Sequence, residues 1–125
     1  MVLVDTSIWV DHFRSGNTAL ENLLNQGLVA VHPYVSGELA CGNLRKRVEI
    51  LALLHALPQA EKVADEEILF YIENNSLGGK GLGLIDVHLL ASAQLSGYLF
   101  WTKDRRLHEM AKKLNLAYSC ILERP

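Results

Sequence analysis

Four acidic residues stand at positions in the chain where a side chain could do chemistry: Asp5, Glu38, Asp86 and Asp104. Asp5 and Asp104 each end an apolar run typical of a strand, and the other two lie in the first turns of predicted helices. If all four share one edge of a sheet, the crowded carboxylates raise one another's pKa values unless a cation neutralises them. Oxygen ligands without His or Cys suit Mg²⁺ or Mn²⁺, which also bind phosphate oxygens. The pattern therefore indicates metal-assisted phosphoryl transfer.

The run from Val2 to Val4 must position the first of these acids. Three apolar residues without polar alternation predict a strand covered on both faces, as in the middle of a parallel sheet. Asp5 then stands at the carboxyl end of that strand, where ligand crevices form in open α/β sheets. A charge directly after a buried strand needs partners, because burying it alone is costly.

Strands and helices are predicted to alternate along the rest of the chain. Further strands are expected at residues 28–31, 98–102 and 116–120, with a weak one at 61–64. Helices are expected at residues 8–14, from Thr18 to the stop at Gly27, from Pro33 onwards, at 44–57, 65–72 and 84–96, and after Asp104. Thr18 and Glu21 have the capping-box pattern, and Asp65 is expected to cap its helix.

This alternation predicts an α/β fold with a mainly parallel central sheet of about four to five strands, flanked by helices through right-handed crossovers. A chain of 125 residues is expected to form one domain over its whole length, residues 1–125. No apolar run approaches the ~20 residues that span a bilayer, and no signal peptide is recognised. We therefore expect a cytoplasmic protein without a membrane segment.

The net charge and the cysteines do not decide which kind of partner the protein binds. The formal charge is −2, from 14 acidic and 12 basic residues. If four of the acids belong to a metal site, the remaining residues are slightly basic, which permits a nucleic-acid partner without demanding one. Cys41 and Cys120 have no metal-ligand spacing and are expected to be buried free thiols. The histidines show no metal spacing either.

Taken together, the acidic motifs resemble those of PIN-domain ribonucleases, and the whole chain resembles the VapC toxin subfamily. The resemblance is carried by residues 2–7, by Glu38 with Leu39, by Asp86 with residues 89–93, and by residues 102–104. Residue by residue, Asp5, Glu38, Asp86 and Asp104 fall on the acidic metal-site positions of the family, and Thr102 falls on its threonine. Two departures are the segment Arg105 to Leu107, where relatives often have an aromatic residue, and the glycine-rich loop before Asp86.

The resemblance implies a three-layer α/β/α PIN domain that acts as a Mg²⁺- or Mn²⁺-dependent endoribonuclease. It also implies the toxin of a toxin–antitoxin pair, a homodimer whose acidic groove is covered or entered by a small cognate antitoxin. The first helix, with Trp9 and Phe13, is a candidate surface for the antitoxin or for the second subunit, although both rings are also expected to pack in the core.

In this hypothesis the metal ion activates a water for in-line attack on a phosphodiester of RNA. Asp5 and Asp104 are expected to bind the metal directly or through water, and Asp86 to complete that site or a second one. Glu38 is expected to bind metal or to orient water, and no general base is assigned. Thr6 and Ser7 are expected to cap the next helix or to hydrogen-bond the ligands, with Thr102 nearby.

Basic residues near these acids are candidate RNA contacts. Lys103, Arg105 and Arg106 flank Asp104, where they would lie beside a bound phosphate. Lys80 lies in a glycine-rich stretch, residues 78–83, whose spacing fits neither a phosphate-binding loop nor a dinucleotide fingerprint. We therefore expect a rim loop there, with RNA contact by Lys80.

Other functions remain open on the residues alone. Asp104 could be only a helix cap. A haloacid-dehalogenase-like phosphatase would use Asp5 as its nucleophile but would have a second Asp where Ser7 stands. A receiver-like domain could use Asp5 with Thr102 and Lys103, but it would need a paired acid and a phosphoacceptor Asp. A non-catalytic binding module is the remaining alternative.

Overall fold

The computed structural model describes residues 1–119, in which a parallel sheet is surrounded by helices. Its strands are β1 (Val2–Val4), β2 (Val29–Ala30) and β3 (Leu99–Trp101), in the order β2-β1-β3 with both pairings parallel. All residues of the central strand are buried. Since neighbouring residues of a strand point to opposite faces, both faces of the sheet are covered. The predicted α/β class with a parallel sheet is confirmed.

The sheet has fewer strands in the described residues than the four to five expected. Isolated parallel bridges extend it at each edge, where Val31 pairs with Gln59 and Phe100 with Ala117. Pro58 precedes Gln59 and has no N–H to donate, which limits the pairing on that side. Residues 61–64 form no strand, so the prediction of a strand there is wrong. Of the strand expected at 116–120, only the bridge at Ala117 forms, and residue 120 lies outside the described residues.

Helices account for most of the remaining described chain. They are α1 (Thr6–Ser15), α2 (Thr18–Asn25), α3 (Pro33–Cys41), α4 (Arg47–Ala56), α5 (Asp65–Asn74), α6 (Leu84–Ser96) and α7 (Arg105–Lys113). Pro33 opens α3, and Gly97 ends α6 in the left-handed conformation, both as predicted.

Two helix caps differ from the sequence prediction. Asn17, not Thr18, caps α2, because its side-chain oxygen accepts the Leu20 N–H at 3.0 Å. The N-cap of α5 is Ala64, so Asp65 is the first helical residue rather than the cap. An acid in that position still interacts favourably with the helix dipole.

The fourth helix begins at Arg47 rather than at residue 44. Lys46 adopts a left-handed backbone with φ of 52°, which separates the preceding loop from the helix. The Arg47 guanidinium donates to the carbonyl oxygens of Ala40 at 2.6 Å and Gly42 at 3.4 Å, at the end of α3. Arg47 therefore satisfies carbonyls that α3 leaves unpaired, which explains a cation at a helix start.

The core is centred on α6 and on the sheet. A continuous buried run in α6, residues 87–93, packs in the core, where the aromatic rings of Trp9 and Phe100 are also fully buried. Phe13 is half-buried and stacks on Trp9 with ring centroids 5.7 Å apart. The core prediction for α1 is therefore confirmed for Trp9. Cys41 is exposed, contrary to the expected buried thiol, and Cys120 lies outside the described residues.

Each helix in residues 1–119 is too short or too polar to cross a bilayer.

A buried histidine at the start of α3 makes stability depend on pH. His32 caps the helix, since its Nδ1 accepts the Tyr34 N–H at 2.9 Å. Burial, which is the largest cause, and the neighbouring charges of His88 and Lys62 together lower the pKa of His32 to about 4. The unfolded chain binds this proton at an ordinary pKa near 6.5, whereas the native ring stays neutral. The free energy of unfolding therefore falls as the pH drops from about 6.5 to about 4.

We predict that His32→Asn weakens this acid sensitivity. Asn is a good helix cap and does not titrate, so the variant keeps the hydrogen bond to Tyr34 and loses one proton-linked step. Urea unfolding should be measured between pH 7 and pH 4.5. Over this range the free energy of unfolding of the variant should fall less steeply than that of the wild type, by up to about 1.4 kcal/mol per pH unit. Equal slopes in the two proteins would contradict this assignment.

Candidate active site

Asp5 is a buried carboxylate at the carboxyl end of the central strand. Its Oδ2 accepts hydrogen bonds from the Ser7 hydroxyl and the Thr102 hydroxyl, each at 2.8 Å. Its backbone N–H donates to the carbonyl oxygen of Trp101 at 2.9 Å, which extends the β1–β3 pairing to the site. Two hydroxyl donors stabilise the charged form of a carboxylate that is only 8% exposed.

The same two hydroxyls fix the turn between β3 and α7. The Lys103 N–H donates to Ser7 Oγ at 3.0 Å, and the Asp104 N–H donates to Thr102 Oγ1 at 3.0 Å. Ser7 and Thr102 therefore each link Asp5 to a backbone N–H of this turn. The predicted hydrogen-bonding role of Ser7 is met in the structure, whereas the residue at the N-cap of α1 is Asp5 itself.

Asp104 caps α7, which is one of the roles that the sequence predicted for it. Its Oδ1 accepts the Leu107 N–H at 2.9 Å. Asp86 is the third residue of α6, and its Oδ2 accepts the N–H of Gly83, the N-cap of that helix, at 3.0 Å. Both acids are thus held by backbone N–H groups at helix starts, where the positive end of the helix dipole favours a negative charge.

The electrostatics place Asp86 in the field of the other two aspartates. Burial raises the pKa of Asp86, the Gly83 N–H partly offsets this, and the negative charges of Asp5 and Asp104 raise it further. These three carboxylates therefore interact, although they come from three separate segments of the chain.

Glu38 is connected to the same edge of the sheet through a hydrogen bond from α1. Its Oε1 accepts the Thr6 hydroxyl at 2.8 Å, and Thr6 directly follows Asp5. The sequence suggested hydrogen bonds for Thr6 but did not identify Glu38 as its partner. The two residues are 32 positions apart, and only the packing of α1 on α3 brings them together.

All four acids share one bonding pattern. Protein donors reach Oδ2 of Asp5, Oε1 of Glu38, Oδ2 of Asp86 and Oδ1 of Asp104. Within residues 1–119, the second oxygen of each carboxylate accepts no hydrogen bond from the protein. Each acid is therefore held in place by one oxygen and presents the other to a ligand.

The donor set fits a hard, oxygen-binding cation held in an open site. In the described part of the chain, no three His, Cys, Asp or Glu side chains lie close enough together to hold a metal ion among them. Mg²⁺ takes one or two carboxylates directly and keeps several waters. The repulsion among Asp5, Asp86 and Asp104 is what a bound cation would relieve.

The basic residues predicted beside the site differ in what they contact. The Lys103 ammonium lies 3.2 Å from Oδ1 of Asp11, a partner that sequence reasoning missed. The Arg106 side chain lies against Gly81, where an added Cβ would come 2.4 Å from Arg106 Nη1. Arg105 and Lys80 are exposed.

A groove of about 590 Å³ leads away from Glu38 between α1, α3 and α4. Val10, Phe13 and Leu39 give it an apolar floor, and Arg14, Arg45 and Lys46 give it basic edges. Arg45 and Lys46 line the same groove as Glu38, and their place beside it follows only from the packed fold.

Fold and site together define an α/β domain with an acidic site at the carboxyl ends of its parallel strands. The family model described as "PIN domain" matches residues 2–113. Two relatives named "Ribonuclease VapC32", from Mycobacterium tuberculosis strains CDC 1551 / Oshkosh and ATCC 25618 / H37Rv, are each 41% identical over 108 residues, which cover 86% of this chain and 87% of the relative. The chain therefore belongs to the PIN-domain family, in its VapC ribonuclease branch.

We predict that the Thr102 hydroxyl stabilises the native protein through Asp5. Thr102→Val keeps the shape but removes the donor to the buried carboxylate and the acceptor for the Asp104 N–H. It should lower the free energy of unfolding by about 1–3 kcal/mol at pH 7. Thr102→Ser keeps the hydroxyl and should recover most of this loss. If urea unfolding gave the Val variant the same stability as the Ser variant, the hydroxyl would have no such role.

Proposed function

We propose that this protein is a metal-dependent endoribonuclease that cleaves phosphodiester bonds of RNA and serves as the toxin of a toxin–antitoxin pair. The observation that carries the proposal is the shared pattern of the four acids, each held by one oxygen with the other free. Relatives named as VapC ribonucleases support the reaction class. We further propose that it works in the cytoplasm, where such substrates are found.

Asp5, Glu38, Asp86 and Asp104 would hold Mg²⁺ or Mn²⁺ through their free oxygens. The ion would supply a Lewis acid that activates water and offsets the charge developing on the phosphate. Ser7 and Thr102 would keep the Asp5 carboxylate charged and oriented. The Gly83 and Leu107 N–H groups would fix Asp86 and Asp104 while leaving one oxygen of each available.

Three basic residues are proposed to contact the RNA backbone. Arg105 and Arg106 follow Asp104 directly, and Lys80 lies in the exposed loop that packs against Arg106 through Gly81. Lys103 could bind a phosphate only by leaving Asp11, so we assign it first to tying the turn after β3 to α1. Such contacts would position the strand without reading its sequence.

A cognate antitoxin is proposed to occupy the groove between α1, α3 and α4. Its apolar floor suits a protein segment, and because Glu38 forms part of its wall, an occupant would reach the acidic edge. Phe13 and Val10 remain available there, whereas Trp9 is fully buried and is no longer a candidate contact.

For the proposed homodimer, a separate apolar face is available on α5 and α6. Phe70 is 72% exposed, and Leu69 and Leu95 are also exposed.

The rival functions fit the observed contacts less well. Ser7 stands where a haloacid-dehalogenase-like phosphatase would have its second Asp, and it donates a hydrogen bond to Asp5 instead. A receiver-like domain would use Lys103 near Asp5, but the ammonium pairs with Asp11. A non-catalytic binding module remains the alternative if the acids bind no metal.

We predict that cleavage of an RNA panel requires both the divalent cation and Asp5. Asp5→Asn removes a charged metal ligand at the centre of the site and should slow cleavage at least about 100-fold, because the cation that offsets charge on the phosphate would no longer be held. EDTA should abolish cleavage by the wild type. Glu73→Gln, which changes an exposed acid of α5, is the matched control and should cut normally.

The cut ends should be mapped, and circular dichroism should confirm that each variant is folded. Cleavage that survives EDTA or the Asp5 change would overturn the proposal.

A further inference from the structure

A second cleft lies beside the acidic edge, on the other side of α3 from the groove assigned to the antitoxin. It has a volume of about 740 Å³, within the range of roughly 300–1,000 Å³ typical of small-ligand sites. We call it the α3–α6 cleft; its walls include Pro33, Tyr34, Gly37, Leu84, Ile85 and His88. Glu38 borders both cavities, so an RNA strand crossing the acids can enter this cleft directly.

The walls of the cleft are largely apolar and partly uncovered. Leu84 is 61% exposed and Ile85 is 38% exposed at the start of α6. The Tyr34 ring is held by Lys62, whose Nζ lies 5.0 Å from the ring centroid, and by the His88 ring, which meets it edge-on at 5.0 Å. Flat apolar and aromatic surfaces of this kind are where unpaired nucleobases pack.

One polar group in the wall has unused hydrogen-bonding capacity. His88 is 2% exposed, and its Nδ1 has no hydrogen-bond partner in residues 1–119. Its Nε2 lies 3.9 Å from Oδ1 of Asp65, which is too far for a hydrogen bond. Buried polar atoms are normally paired, so His88 gives this wall a polar group that the fold itself leaves unsatisfied.

We propose that the α3–α6 cleft binds one unpaired nucleobase of the RNA, next to the bond that is cut. The inference rests on the proposed function, because it places that base beside the metal-binding acids. Asp86 interacts electrostatically with Asp5 and Asp104, and His88 lies two residues further along α6 in the cleft wall. The ammonium of Lys62 lies beside Tyr34, where it attracts a phosphate of the strand that carries the base.

A substitution at Gly37 can fill the cleft without replacing any of the four acids. It lies on α3 in the cleft wall, and an added Cβ would meet no atom within 4 Å. Gly37→Trp should fill the cleft, whereas Gly37→Ala makes the same backbone change and leaves the cleft open. Both variants should bind Mn²⁺ like the wild type, which shows that Glu38 is undisturbed.

The first measurement is the KM for an RNA of known cut site. Gly37→Trp should raise KM about tenfold relative to Gly37→Ala, since stacking contributes about 1–3 kcal/mol per base. Removing the base at one position flanking the cut should raise KM similarly for Gly37→Ala and add little for Gly37→Trp. Equal KM values for both variants on intact RNA would overturn the inference while leaving the proposed function standing.

The second measurement needs no cleavage and therefore separates the two proposals. An oligoribonucleotide with 2-aminopurine at the flanking position is bound in EDTA, and its fluorescence should fall with the wild type and Gly37→Ala but not with Gly37→Trp. Quenching that is the same for all three proteins would overturn the inference. So would a finding that Gly37→Trp blocks an antitoxin segment or a second copy of the chain but not the RNA.

Discussion

The structure depends on supplying hydrogen-bond donors to one carboxylate in a nearly buried position. Asp5 follows a strand whose residues are all buried, and its Oδ2 accepts hydrogen bonds from the hydroxyls of Ser7 and Thr102. These donors come from opposite ends of the chain, so the site forms only when β1 and β3 pair. The same hydroxyls accept backbone N–H groups from the turn after β3, which makes the turn part of the support for Asp5.

The other three acids are also held by hydrogen bonds, each from a different donor. Backbone N–H groups at the starts of α6 and α7 hold Asp86 and Asp104, and a hydroxyl of α1 holds Glu38. Each contact uses one carboxylate oxygen. The side chain is therefore held in position while its second oxygen can still bind a cation. The pKa of Asp86 is raised first by burial and then by the negative charges of Asp5 and Asp104, and this is the cost of holding these carboxylates together. That cost is the reason to expect a cation.

Sequence patterns were sufficient for the strand that carries Asp5 and for the parallel α/β class, whereas the assignment of the four acids as metal ligands stays a prediction. They succeeded there because buried strands and helix starts leave local signals. They failed where the outcome depends on tertiary packing, as at the sheet edge, where Gln59 rather than residues 61–64 pairs with Val31. The pairing of Lys103 with Asp11 and the two cavities beside Glu38 likewise arise from segments distant in sequence.

Calorimetric titration of RNA-free protein with Mn²⁺ at neutral pH measures whether the four acids hold a metal ion. Saturable binding by the wild type should be lost in Asp5→Asn and retained in Glu73→Gln, in proteins shown to be folded. Because burial and the charges of Asp5 and Asp104 raise the pKa of Asp86, binding should weaken as the pH falls and this carboxylate takes up a proton. Equal Mn²⁺ binding by the wild type and Asp5→Asn would show that these acids do not form the metal site.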